Sequence, residues 1–139
     1  LFEELRVGTG WGSTLHANPA MRVSQAIDAW VFNTWESGGP RATAFEIKVS
    51  RSDFKQEIDH PRKREAAMAL SNQFYFVCPA DLKVESRIPP ECGLMYLMAN
   101  GTLREIKRAP RREMDPPPME FIAMLIRRTV NDLVLETSG

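Results

Sequence analysis

The residues of this sequence that are suited to chemistry are two carboxylates and an amine in neighbouring apolar segments. Asp28 lies in the segment from Ala26 to Trp35, where alternation puts it on the same face as large aromatic side chains. Glu46 and Lys48 lie in the segment from Arg41 to Val49 and share one face, about 7 Å apart. If the two segments form a β-hairpin, a suitable register brings the two carboxylates together.

Two carboxylates held close together away from water repel each other, and each would take up a proton unless they share a cation. Mg²⁺ or Mn²⁺ suits such a pair, because hard divalent ions prefer oxygen ligands and keep several sites for water and phosphate. The carbonyl of Ile47 would add a third protein oxygen. Lys48 would assist a water molecule that attacks phosphorus and would stabilise the charge that develops on the phosphoryl oxygens, which is what phosphodiester hydrolysis needs. The alternative is a surface Glu46–Lys48 pair with a hydrogen-bonded or capping Asp28, and spacing alone does not decide between the two.

The elements that must position these residues follow from hydrophobic periodicity and turn residues. Ser50, with Asp53 three residues later, predicts the start of a short helix. The predicted order is helix, hairpin, helix, buried strand, hairpin and helix, over 1–6, 26–35 with 41–49, 52–58 with 62–71, 74–78, 94–98 with 102–107, and from about 118 onward. This order predicts an α/β fold in which helices flank a mixed central sheet.

Composition narrows the class of protein. A chain of 139 residues, 43% of them hydrophobic, fits a single domain over 1–139 that needs no disulfide or structural metal. Cys78 and Cys92 have no zinc-site spacing, and no apolar segment is long enough to span a membrane, so we expect a reduced, cytoplasmic protein. Because 18 basic residues balance 18 acidic ones, any nucleic-acid contact must come from local patches such as 62–64, which also suit a solvated surface.

The segment from Ala26 to Pro79, with its sequences AIDAWVF, EIKVSRSDF and FYFVCP, resembles the PD-(D/E)XK nuclease superfamily. The resemblance is narrower to small phage and bacterial proteins related to MmcB-like DNA-repair nucleases and Holliday-junction resolvases. It implies a restriction-endonuclease-like core with the order αβββαβ. The proline in the superfamily's name is absent, because Ile27 precedes Asp28.

The resemblance also implies roles for individual residues. Asp28 and Glu46 match the metal-binding acids, Lys48 matches the catalytic lysine, and Glu4, or less well Glu3, matches an acidic residue on an upstream helix. Glu4 suits a solvated helix end equally well, and Asp53 also suits a helix-capping role. The predicted substrate contacts are Ser50, Asp53, Lys55, Arg62 and Lys63, with Arg111 and Arg112 as flanking residues.

The function that follows is a Mg²⁺-dependent DNA endonuclease, acting in DNA repair or recombination on branched or structured DNA. A homodimer would supply two symmetric cuts, and the location would be the host cytoplasm if the protein is phage-encoded. Two alternatives remain open, namely a catalytically inactive nucleic-acid-binding module of the same fold and a protein-interaction domain.

Overall fold

A six-stranded mixed sheet forms the centre of the protein in the computed structural model, which describes residues 1–8, 24–35 and 37–138. The strands lie side by side in chain order. β1 to β3 are antiparallel, β3 to β5 are parallel, and β6 returns antiparallel to β5. Their bounds are β1 Phe2–Gly8, β2 Ser24–Asn33, β3 Arg41–Ile47, β4 Gln73–Pro79, β5 Gly93–Leu97 and β6 Leu103–Lys107.

Helices connect β3 to β4 and end the chain. A parallel pair needs a crossover connection, and here it consists of α1 (Arg51–Asp59), a 3₁₀ turn (Pro61–Arg64) and the short α2 (Glu65–Ala69). α3 (Met119–Ser138) follows β6 after a segment without helix or strand. No helix among the described residues has both the length and the apolar composition to cross a membrane. The sequence prediction of an α/β fold with helices flanking a mixed sheet is confirmed.

The main core lies between the helices and the sheet face that carries Trp30. Trp30 pairs with Ala44, and the small alanine leaves room for the indole. The indole Nε1 donates a hydrogen bond to the carbonyl of Leu70 at 2.8 Å, which satisfies its buried polar group. Phe121 of α3 packs edge-on against the same ring, with centroids 5.4 Å apart. Trp30 therefore joins the sheet to both α2 and α3.

The segment between β6 and α3 is fixed to the sheet, although its sequence resembles a linker. Gln73 donates from its side chain to the carbonyl of Ala109 at 2.8 Å, and Asn72 donates to the carbonyl of Arg112 at 2.9 Å. Gly93 allows this close approach, because a Cβ there would lie 2.6 Å from the backbone nitrogen of Ala109. The segment is thus part of the packed structure.

The predicted N-terminal helix is wrong. Residues 2–8 form β1, which pairs along β2 from Phe2 opposite Trp30 to Gly8 opposite Ser24. The Leu-Glu-Glu-Leu sequence has good helix formers, but the pairing with β2 overrides this weak local preference. The predicted order αβββαβ is therefore incorrect at its first element, and the first three strands of the described residues are antiparallel to one another in sequence order.

Candidate active site

Asp28 and Glu46 lie side by side where the hairpin of β2 and β3 opens. The ladder between the strands ends with the pair of Ala29 and Phe45, so Asp28 and Glu46 occupy the next position on the two strands. Strand alternation puts the Glu46 side chain on the same face as Ala44, the partner of Trp30, and the Asp28 charge lies near enough to raise the pKa of Glu46. The predicted hairpin is present, and its register brings Asp28 near Glu46.

Beyond the last main-chain pair, the Asp28 side chain replaces the main chain of β2 as the hydrogen-bond partner of β3. Its Oδ2 accepts a hydrogen bond from the backbone N–H of Ile47 at 2.9 Å. In an extended strand the N–H and C=O of one residue point to the same side, so the Ile47 carbonyl is also directed toward β2. The next backbone N–H, that of Lys48, points the other way and donates to the carbonyl of Val77 at 3.0 Å. The Asp28 carboxylate and the Ile47 carbonyl are thus both directed into the space between β2 and β3, and the Glu46 side chain projects from the sheet face beside them.

Glu46 is in an electrostatically unfavourable position. Burial, and then the nearby charge of Asp28, raise its pKa from about 4.5 to about 7 against the lowering effect of Lys48. Its side chain is only 14% exposed. Near neutral pH this carboxyl group is therefore close to half protonated, and a cation between Glu46 and Asp28 would favour release of the proton.

Lys48 lies between two acidic side chains. Its Nζ is 3.3 Å from Oε1 of Glu46 and 3.9 Å from Oε2 of Glu57. Burial alone would lower the pKa of Lys48, but the charges of Glu46 and Glu57 outweigh burial and raise it. The amine is therefore a stable ammonium group at the site and a poor proton acceptor.

Glu57 is a site residue that the sequence prediction missed. It lies on α1 and is 4% exposed. A signal was present, because Glu57 follows Phe54 by three residues and shares its helical face, where an acid is out of place. Its partner Lys48 is nine residues earlier in the chain and outside the helix, so no local pattern joins the two.

The predicted substrate contacts lie mostly on the exposed side of α1 and of the turn that follows it. Ser50 caps α1, with its hydroxyl accepting from the N–H of Asp53 at 3.2 Å, and Asp53 is exposed in the first turn. Lys55 is exposed and pairs with Asp59 at 2.7 Å. Arg62 and Lys63 are exposed in the turn from Pro61 to Arg64.

Three other predicted residues have different surroundings from those expected. Glu4 is exposed on β1 rather than on a helix, with a φ of 51°, and it lies between Glu3 and Leu5, which pair with Ala29 and Ile27. Arg112 donates to the carbonyl of Met68 at 2.9 Å and has a structural role. Arg111 lies close to Gly38 at the hairpin turn, which is the opposite end of β3 from Glu46. Neither arginine flanks the site.

The donor set fits a hard divalent cation. In the described part of the chain, no three or more His, Cys, Asp or Glu side chains are grouped to hold a metal. Mg²⁺ does not need such a group, because one or two carboxylates with waters and phosphate oxygens suffice. The raised pKa of Glu46 beside Asp28 is the signature expected of a pair that a cation would stabilise. Asp28, Glu46 and the Ile47 carbonyl therefore fit Mg²⁺ or Mn²⁺.

The cysteines do not offer a second kind of chemistry. Cys78 and Cys92 are both buried and unpaired. Burial raises the pKa of each thiol to about 11, so neither is a thiolate at neutral pH. A nucleophilic thiolate or a soft-metal ligand is therefore not indicated at either position.

Comparison with known proteins bears on the fold alone. No protein-family model matches the chain, and no curated protein matches it. Among solved structures it is similar to a protein of unknown function from Silicibacter pomeroyi, with a TM-score of 0.50 and 15% identity over 96% of this chain and 77% of the other. The likeness supports the α/β architecture, and membership of the PD-(D/E)XK superfamily stays a prediction from the sequence.

Proposed function

We propose that the protein is a metal-dependent nuclease of the PD-(D/E)XK type that hydrolyses phosphodiester bonds in DNA. The observation that supports the proposal is the partly buried pair of Asp28 and Glu46 with the Lys48 ammonium beside it, in which burial, and then the charge of Asp28, raise the pKa of Glu46 to about 7. A pair of desolvated acids is costly in a fold, and a hard cation with a phosphate ligand would relieve that cost.

The residues of the site have two proposed roles, which are to hold the cation and to stabilise negative charge on the phosphoryl group. Asp28, Glu46 and the Ile47 carbonyl would hold Mg²⁺, which supplies Lewis-acid activation of water and phosphate when bound. The N–H of Ile47 fixes one oxygen of Asp28 and leaves the other available. Lys48 stabilises the negative charge that develops on the phosphoryl oxygens.

The reaction is a direct displacement by water, without a covalent enzyme intermediate. The water oxygen forms the new bond to phosphorus as the bond from phosphorus to the leaving sugar oxygen breaks. The water loses a proton to solvent, and the leaving oxygen gains one from solvent. Lys48 does not take the proton, because its neighbours keep it positively charged.

The substrate side of the proposal rests on surface charge and on the family resemblance. Lys55, Arg62 and Lys63 are exposed on α1 and the following turn, where they suit contacts to phosphates. Branched DNA, and a homodimer that makes two symmetric cuts, come from the resemblance to resolvases.

The test is cleavage of plasmid and branched DNA with Mg²⁺ or Mn²⁺, for the wild type, Lys48→Ala and Glu46→Ala. We expect Lys48→Ala to lower turnover by about 10²- to 10³-fold, as expected when a group that stabilises the transition state is lost. Its Mn²⁺ affinity, followed by calorimetry, should stay near the wild-type value, whereas Glu46→Ala should lose metal binding. Arg104→Ala, which removes an exposed cation from β6, is the matched control.

Two results would contradict the proposal. Metal-dependent cutting by Lys48→Ala at the wild-type rate would show that Lys48 has no part in the mechanism. Salt-sensitive DNA binding without any cutting by the wild type would favour the inactive nucleic-acid-binding module.

A protein-interaction domain is a second candidate, because α3 exposes large apolar side chains. Met119, Ile126 and Val130 are 76%, 59% and 51% exposed. Such residues are common where proteins meet. This candidate predicts no salt-sensitive affinity for DNA.

A further inference from the structure

Glu57 is a buried acid whose place in the fold is tightly determined. α1 begins at the Ser50 cap, and Phe54 of its first turns is fully buried against Phe76, with ring centroids 5.4 Å apart. The backbone carbonyl of Glu57 accepts a hydrogen bond from Nη1 of the buried Arg64 at 2.9 Å. The helix turn that carries Glu57 is therefore anchored on both sides.

The burial of this carboxylate needs a compensating partner. A glutamate is almost never fully buried unless it is paired, because removing its charge from water is costly. The Glu57 carboxylate approaches the Lys48 ammonium to 3.9 Å. An apolar residue at this helical position would pack against the same core, so packing alone does not explain why an acid is buried there.

The two acidic neighbours of Lys48 differ in what else they contact. Glu46 is one of the three groups that would hold the divalent cation, and a cation there would compete with the Lys48 ammonium for its oxygens. Glu57 lies on a helix rather than on the two strands that carry Asp28 and Glu46. It would therefore keep its contact with Lys48 while Glu46 binds metal.

We propose that Glu57 is a positioning residue, which holds the Lys48 ammonium in place for the phosphoryl group while Glu46 is occupied by the cation. This inference rests on the proposed function for its consequence in catalysis. The contact itself is independent of that function, so it has a readout of its own. The change in kcat would come from the orientation of Lys48 rather than from contact between Glu57 and the substrate.

The first measurement is the NMR signal of the Lys48 side chain in the wild-type protein. An ammonium group held in one place makes the two Hε protons of its lysine inequivalent, whereas a freely rotating side chain averages them. We expect separate Hε signals for Lys48 in the wild type, both with and without Mg²⁺, and averaged signals in Glu57→Gln with Mg²⁺. Averaged signals in the wild type with Mg²⁺ would overturn the inference without the use of any variant.

The second measurement compares two substitutions that separate charge from shape. Glu57→Gln keeps the shape and loses the charge, whereas Glu57→Asp keeps the charge on a shorter side chain. We expect Glu57→Gln to lower kcat by on the order of 10- to 100-fold, with KM and Mn²⁺ affinity little changed, and Glu57→Asp to be the milder change. A packing role predicts the reverse order, and that order would overturn the inference.

The control and the separation from the proposed function are built into the same set of experiments. Asp59→Asn removes an exposed acid of the same helix that pairs with Lys55, and it should leave the Lys48 signals unchanged. If the wild type cuts no DNA, the nuclease proposal fails, and the Lys48 signals alone still decide whether Glu57 positions the ammonium.

Discussion

Replacing Glu46 by glutamine tests whether the two carboxylates meet away from water. Burial, and then the charge of Asp28, raise the pKa of Glu46 from about 4.5 to about 7 in the folded protein. Between these values the unfolded chain releases a proton that the folded protein keeps. The contribution to stability is therefore fully present below about pH 4.5 and is lost as the pH rises through about 7.

The size of the effect follows from the same two values. At about 1.4 kcal/mol for each pH unit, the full window corresponds to about 3 kcal/mol in the free energy of unfolding. About 2.5 kcal/mol of this loss falls between about pH 5 and about pH 8. Solvent screening reduces it little, because the Glu46 side chain is only 14% exposed.

The assay is urea denaturation of the wild type and Glu46→Gln across this pH range, with a chelator present. The difference between the two free energies of unfolding cancels the titration of other groups, and it should favour the variant increasingly as the pH rises. Asp28→Asn should weaken the pH dependence, because it removes the second cause of the raised pKa. Glu113→Gln, which changes an exposed acid between β6 and α3, is the matched control.

A parallel course of the wild-type and Glu46→Gln curves would refute the reasoning. Glu46 would then titrate in the folded protein as it does in the unfolded chain. There would be no unfavourable burial or repulsion of the two carboxylates for a cation to relieve. The nuclease proposal would lose the observation that supports it.

Two further substitutions test the elements that position the site. Ser50→Ala should lower the free energy of unfolding by about 1 kcal/mol, because it removes the cap of α1. Ser52→Ala, two residues later, removes an exposed hydroxyl that contacts Ser50 Oγ at 3.2 Å but caps no backbone N–H, so it should change the free energy of unfolding much less; equal effects would contradict the capping role. Gly93→Ala should lower the melting temperature and cost about 1–3 kcal/mol, because the new Cβ would lie 2.5 Å from the Tyr75 ring and 2.6 Å from the backbone of Ala109; an unchanged melting temperature would contradict that close approach.

The elements around the site were predictable because their signals are local. Alternation and the turn residues Gly38, Gly39 and Pro40 between the two segments predicted the hairpin of β2 and β3, and the structure adopts it. Ser50 predicted the start of α1 to within a residue. Each signal lies within the element that it specifies, so the sequence carries it without reference to the rest of the fold.

The residues that were missed depend on contacts between distant parts of the chain. β1 has a helical composition, and only its pairing with β2 makes it a strand. The burial of Glu57 is explained by its contact with Lys48, which lies outside the helix that carries Glu57. Arg112 was expected to flank the substrate, but its bond to the carbonyl of Met68 fixes it in the structure. Basic residues in a proline-rich segment give no sign in the sequence that they are anchored.

The two edge strands of the described sheet are protected against pairing with other chains in different ways. β6 carries the exposed Arg104, and a charged side chain on an edge strand disfavours pairing with another chain. At the other border, Glu4 twists β1 with its positive φ, and Arg128 of α3 donates to the carbonyl of Glu3 at 2.6 Å. Neither border presents a flat, uncharged row of backbone groups, so crowding in a cell would not readily extend the sheet into a fibre.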